Sequence, residues 1–486
     1  LSKRHWSLPI RLLIRFRACL LRFLRPLPTR SFTFLCWFRG PGPIQRGSQR
    51  CIRPTPTLHF ALLSCGPVRG NDMIARSTLP PRRLAPLLGA LAMFGAFSID
   101  TVFPAFPDIG GQFGVGKVAM QQTISVYLFA YAVMSLLHGP LSDAIGRRRV
   151  IIGGLAVFTL ASMGCALAPS IGWLLFFRLL QGLSAGVGMI VGRAVIRDVF
   201  DGHDAQRLMS QVSMIFGLAP AIAPVIGGWL LGWAGWRAIF WFLVVFGALI
   251  LLAVLRALPE THPVHARKSF RASDLWHGNV AMARDRVFLR LSLIASCNFA
   301  ALFVYISAAP AFVLDILHLN AQQFAWFFAP MISGMMLGAF TSGRLAGRVG
   351  GKALASAGFS VCIGAALINL LYNLLATAPA LPWAVLPLAL NAFGVALAFP
   401  IITLLILDRY PRQRGAASSL QAFISLGLNA IIAGAVVAAI AANAVLLAST
   451  MMAFSLCAGL LWWRFVRHGP ERVGQPAPAD AGRERG

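Results

Sequence analysis

A chain of 486 residues that is 58% hydrophobic and only 12% charged, with a mean hydropathy of +0.73, carries about half the charged fraction of an ordinary soluble domain. That composition excludes a water-soluble globule. The formal net charge of +28 does not point to nucleic acid either, because membrane proteins gather Lys and Arg on one side of the bilayer.

Residues 1–72 differ in kind from the rest of the chain. They hold thirteen Lys or Arg against one acid, four of the eight cysteines, and no methionine before Met73. We read them as a basic upstream extension outside the working protein. The alternatives are an Arg-rich targeting segment, a basic arm for nucleic acid, or a surface amphipathic helix over RLLIRFRACLLRFLRPL.

From residue 84 onward, twelve apolar runs succeed one another, each near the ~20 residues that a helix needs to cross a bilayer. Barrel strands would be half as long and would alternate, so the runs predict helices, which satisfy their own backbone. The first run leads into SIDTVFPAFPDIG, where Asp100 precedes Pro104 and Pro107. The next loop, GQFGVGKV, imitates a phosphate loop through Gly111, Gly116 and Lys117, but Val118 stands where a Ser or Thr must hold Mg²⁺. Nucleotide binding is not expected.

The second run carries Tyr127 and Tyr131 and ends in GPLSDAIGRRRV. Here Gly139 would permit close helix approach, Asp143 can accept charge-assisted hydrogen bonds, and Gly146 gives a tight turn before Arg147, Arg148 and Arg149. Such a cluster can hold one surface in one state and release it in another. The fourth run holds Arg178, Gln181 and Gly182, and the fifth holds Pro220, Pro224, Gly227 and Gly228. The prolines are expected to disturb the helix, and the glycines to allow close packing.

A polar interval from Pro259 to Arg286 divides the runs six and six. The expected organisation is a six-helix bundle over 73–258, a cytoplasmic linker over 259–286, a second bundle over 287–468, and a disordered cytoplasmic tail over 469–486. In the second half, GRLAGRVGGK from Gly343 to Lys352 repeats the spacing of Gly139 to Arg148, with Gly347 opposite Asp143. Repeated halves place a cavity near the bilayer midplane. Cys165, Cys297, Cys362 and Cys457 lie in separate apolar runs, without metal-ligand spacing, so neither a disulfide framework nor a metal site is expected.

Arg147, Arg148, Arg149, Arg197, Arg207, Arg267, Lys268, Arg344, Arg348, Lys352, Arg409, Arg412 and Arg414 fall in alternate loops, whereas the intervening loops hold Lys117 and Arg237. The positive-inside bias therefore predicts both termini in the cytoplasm. Ionisable groups inside spans are costly and default to function. Asp100 is the leading candidate for proton or cationic-substrate binding, with Arg178 supporting it. The competing reading makes Asp100 a cap at a kinked helix end. Tyr127, Tyr131 and Tyr305 are candidates for an aromatic substrate cavity, with core packing as the alternative.

The spacing G-x-L-S-D-x-x-G-R-R-R resembles the signature loop between the second and third helices of the major facilitator superfamily. Arg178, Gln181 and Gly182 match its R-x-x-Q-G pattern. Pro224, Gly227 and Gly228 are similar to the end of the motif associated with proton-driven antiporters, although Ala223 replaces the usual glycine. Together with SIDTVFPAFPDIG, LAPAIAPVIGG and FVYISAAPAFV, these segments resemble the Bcr/CflA drug-resistance subfamily over about residues 76 to 468.

The resemblance implies an all-α integral membrane protein of twelve helices in two six-helix bundles, in a bacterial inner membrane. It implies a drug:H⁺ antiporter for compounds such as bicyclomycin or chloramphenicol-type drugs. The implied partners are a small-molecule drug, protons and the lipid bilayer, with no nucleic acid and no cofactor, and the working form is a monomer. A transporter of a sugar, amino acid or other metabolite is the second reading, and a non-transporting sensor or scaffold the third. An enzyme is not expected, because no nucleophile, base and oxyanion donor gather in recognisable form.

Overall fold

The computed structural model describes residues 81–200, 202–267, 271–376, 378–411 and 413–468. The basic extension over 1–72 and the tail over 469–486 lie outside the described residues.

Among the described residues, twelve helices are long and apolar enough to span a bilayer. We number them α1 (Leu84–Phe113), α2 (Lys117–Ile145), α3 (Arg147–Leu167), α4 (Ile171–Val199), α5 (Arg207–Ala234), α6 (Trp236–Ala257), α7 (Arg286–Ser307), α8 (Ala325–Leu345), α9 (Gly351–Leu375), α10 (Leu386–Arg409), α11 (Arg414–Ile440) and α12 (Ala444–Arg467). Many of their large apolar side chains face outward, including Leu160, Leu249, Leu337 and Leu404. Such a surface suits lipid contact. The polar interval after α6 is not merely extended chain, since it includes a helix over Ala272–Arg284.

The two six-helix bundles repeat one packing scheme. α4 packs on α1, α2 and α3, and α10 packs on α7, α8 and α9 in the same way. α3 packs on α6, as α9 does on α12. Across the divide, α2 meets α11 and α8 meets α5, which are equivalent pairs under exchange of the halves. Hydrogen bonds and ion pairs between the halves lie, among the described residues, only at the end of the molecule where α2 begins.

The repeated loop is not equivalent in detail. α2 runs to Ile145 and turns at Gly146 (φ 104°), while α8 stops at Leu345 and turns at Gly347 (φ 79°). A glycine in that left-handed region ends a helix without a Cβ clash, so the second loop turns where the first still carries Asp143.

Candidate functional site

The centre of the first bundle is polar because α1 is broken. Its helix ends at Asp100, a short 3₁₀ turn covers Phe103–Ala105, and a second helix runs over Phe106–Phe113. Pro104 has no N–H to continue the ladder past Asp100. The amide of Val102, which would serve the Ser98 carbonyl in a regular helix, bonds instead to Ile99 O at 3.3 Å. Ser98 O is thereby released, and Arg178 Nη1 of α4 donates to it at 2.8 Å.

Arg178 is only 1% exposed and serves three helices. Its Nη1 also donates to Gln181 Oε1 at 2.8 Å, its Nε donates to Thr123 O of α2 at 3.3 Å, and its guanidinium lies 4.6 Å from the Tyr127 ring centroid. Gln181 passes the chain on by donating to Ser162 Oγ of α3 at 2.8 Å. Tyr127 is fully buried and donates to Gly95 O at 2.8 Å while accepting from Ser98 Oγ. Gly182 lets α4 approach α2 closely, since a Cβ there would run into the Tyr127 carbonyl.

Asp100 sits beside this network but outside it. It is 5% exposed, and among the described residues its carboxyl group has no hydrogen bond and no cation within ion-pair distance. The expected support of Asp100 by Arg178 is therefore not an ion pair here. The arginine is committed to carbonyls that the α1 break exposes. Asp100 ends the first helical piece of α1, buried in the bundle and preceded by a full-length helix.

The tyrosines separate. Tyr127 and Tyr305 are each fully buried in this structure with the hydroxyl bonded, Tyr127 to Gly95 O and Tyr305 to Asn369 Nδ2, both at 2.8 Å. Tyr131 is half-buried and lies within electrostatic reach of Arg193 on α4. The second bundle has no counterpart of Asp100 and Arg178 among the described residues. At its centre stand the uncharged Asn298, Asn369 and Asn391, all buried.

At the other end of α2 the RRR loop is assembled as a cluster. Arg147 pairs with Asp143 one turn back and donates its Nε to Asp198 Oδ2 of α4 at 3.0 Å. Glu260, just after α6, accepts the Arg147 backbone N–H at 2.8 Å, where a carboxylate suits the positive end of α3. Thr261 Oγ1 donates to the same Asp198 oxygen at 3.2 Å, and Arg148 Nη2 donates to Leu255 O at 2.8 Å. Sequence reasoning missed Asp198, Glu260 and Arg193. Asp198 closes the same α4 that carries Arg178, and Glu260 opens the linker; a place near a helix end is the signal each gives in the sequence, and it names no partner.

Gly139 does not mediate a close approach, since a Cβ there would meet open space. Gly227 and Gly228 do mediate one, because side chains there would strike the carbonyls of Thr101 and Ala321 in opposite halves. The helix continues through Pro220 and Pro224 without a break, so the expected disturbance does not interrupt it. Cys297 of α7 and Cys457 of α12, distant in sequence, bring their sulfurs to 4.0 Å. Among the described residues, no three His, Cys, Asp or Glu side chains converge as a metal site would require.

Two repeated six-helix bundles, a charged cluster closing one end of the first and a buried acid beside a multiply bonded arginine together define a membrane transporter class. Residues 88–434 match the model of the Major Facilitator Superfamily, and the chain belongs to that family. It is 30% identical over 353 residues to the "Uncharacterized MFS-type transporter YdgK" of Bacillus subtilis, covering 72% of this chain and 87% of that one. It is 26% identical over 353 residues to the "Bicyclomycin resistance protein homolog" of Haemophilus influenzae, covering 71% and 86%. A D-xylose-proton symporter crystal structure has the same fold, with a TM-score of 0.60 at 15% identity over 79% of this chain and 97% of that one. The resemblance to the Bcr/CflA drug-resistance branch accords with these relatives.

Proposed function

We propose that this protein is a proton-coupled antiporter that exports small drugs such as bicyclomycin or chloramphenicol-type compounds across a bacterial inner membrane, working as a monomer with both termini in the cytoplasm. The observation that carries the coupling is Asp100. Removing an ionised carboxylate from water without a partner is costly, and a lone acid inside a span is a functional group by default. Asp100 is thus suited to carry a proton in one conformation and give it up in another.

Arg178 has the complementary role of a positioning residue. It ties the broken α1 to α2 and α4, so a shift of either helix alters the surroundings of Asp100. The Arg147 cluster supports the reading as an inner-face hold, because it joins α2, α3, α4 and the linker through charges that a helix movement would separate. The Haemophilus influenzae relative supports bicyclomycin as a solute, the resemblance to the Bcr/CflA branch supports chloramphenicol-type compounds, and the bias of Lys and Arg supports the orientation.

The test uses the full chain in inverted vesicles carrying an imposed proton gradient, with labelled chloramphenicol and bicyclomycin and a pH-sensitive dye. Drug uptake is expected to dissipate the gradient, and the Asp100→Asn protein is expected to lose both signals while still inserting. Undiminished gradient-driven uptake by Asp100→Asn would remove Asp100 from the mechanism.

A further inference from the structure

The loop that imitates a phosphate site supplies a different kind of group. After it, α2 opens with Lys117, Gln121, Gln122 and Ser125, a spacing that puts all four on one side of a helix. Each reaches across to the second half. Lys117 Nζ lies 2.7 Å from Asp315 Oδ2, Gln121 Nε2 donates to Ser307 O at 3.1 Å, Gln122 Nε2 to Gly434 O at 2.9 Å, and Ser125 Oγ to Ala430 O at 2.8 Å.

Three of the four acceptors sit where the helices of the second half are irregular, and Ala430 lies in the regular helix just before the last of these places. Ser307 is the last residue of α7, Asp315 lies in a π-helical turn over Ala311–Ile316, and Gly434 lies in another over Ile432–Val437 within α11. Helix ends and π turns leave carbonyls with spare accepting capacity, and π turns recur at functional sites. Beside this contact a cavity of about 260 Å³ lies between the halves, walled by Phe106, Lys117, Met120, Gln121, Leu314 and Asp315.

We propose that this face of α2 is the outer gate of the transport path, fastened by Lys117 to Asp315 and by Gln121 and Gln122 to opposing carbonyls, and that the cavity is the chamber from which solute leaves. The proposal rests on the transporter reading but on no particular solute or ion. The division of labour follows from exposure. Lys117 and Asp315 side chains are 67% and 43% exposed, so their pair shifts an equilibrium by no more than about fivefold. Gln121 is buried, and its bond cannot be exchanged for water while the gate is shut.

The experiment places a reporter in the chamber, Ala311→Cys in the full chain, and adds a membrane-impermeant maleimide outside intact cells. Labelling is counted against the chain without the added cysteine. Asp315→Asn is expected to speed labelling about two- to fivefold, and Gln121→Leu with Gln122→Leu to speed it further. Lys117→Asp should also speed it, and Lys117→Asp combined with Asp315→Lys should return it towards the parent rate. Raising salt from ~0.1 M to ~1 M shortens the screening length from about 10 to about 3 Å, so it should speed labelling in the parent and not in Asp315→Asn.

Equal labelling rates in the parent, Asp315→Asn and Lys117→Asp would overturn the gate. If Asp315→Asn does not insert, the salt series on the parent decides alone, and a flat series refutes the ion pair. Labelling needs neither drug nor proton gradient, so its failure is distinct from failure of the Asp100→Asn transport test.

Discussion

Replacing Arg178 by lysine keeps the charge and removes the fork. The guanidinium reaches Ser98 O and Gln181 Oε1 at 2.8 Å and Thr123 O at 3.3 Å, acceptors on three helices. An ammonium is a point donor and cannot span them. One or two charge-assisted bonds are lost, at about 1.5–3 kcal/mol each, and a charge remains buried with fewer partners. The expected loss is about 3–5 kcal/mol, the range for breaking a buried charged network.

Arg178→Met removes charge and bonds together, which is commonly milder than leaving a charge unsatisfied. Melting of detergent-purified protein, tracked by the fraction surviving gel filtration, should rank wild type above Arg178→Met and Arg178→Met above Arg178→Lys. If Arg178→Lys melts with the wild type, or if Arg178→Met melts below Arg178→Lys, the arginine does not hold α1 through its fork of carbonyl bonds.

The polar faces give two further tests. Asp285 precedes α7, and burial pushes its carboxyl up, but hydrogen bonds from Arg409, Tyr410 and the Val287 amide, with the Arg409 charge, outweigh this and hold it below its ordinary value of 3.8. A depressed carboxyl stabilises fully above the unfolded value and loses that stabilisation as pH falls through the folded one. Thermal melting should therefore drop below about pH 3.8, with a smaller drop in Asp285→Asn. Glu260→Gln removes a charge worth about 0.3–1 kcal/mol from the start of α3. Trypsin cleavage after Arg267 should then speed up about two- to fivefold, and an unchanged rate would show that Glu260 does not hold the linker.

Much of the architecture is legible in the order of residues. Lipid demands long apolar helices, so hydropathy alone marks the twelve spans, and the matching loops at Gly139 and Gly343 mark the repeat. The arginine cluster, Arg178 and Asp100 are also visible, because charges are rare enough in such a chain to stand out. Their partners are not visible. Asp198, Glu260 and Asp315 look like ordinary acids at helix ends until the fold brings each to a basic residue or a helix start.

Composition and periodicity thus determined that this protein spans the membrane with two similar sets of helices, since those features depend on local hydrogen bonding and on transfer between water and lipid. Tertiary structure decided that Arg178 binds a carbonyl freed by the break in α1 and not Asp100, that the Tyr127 and Tyr305 hydroxyls are buried and bonded, and that Lys117 meets Asp315 across 198 residues. A side chain's partner depends on which helices pack together and at what rotation. One chain's order of residues does not display those two quantities.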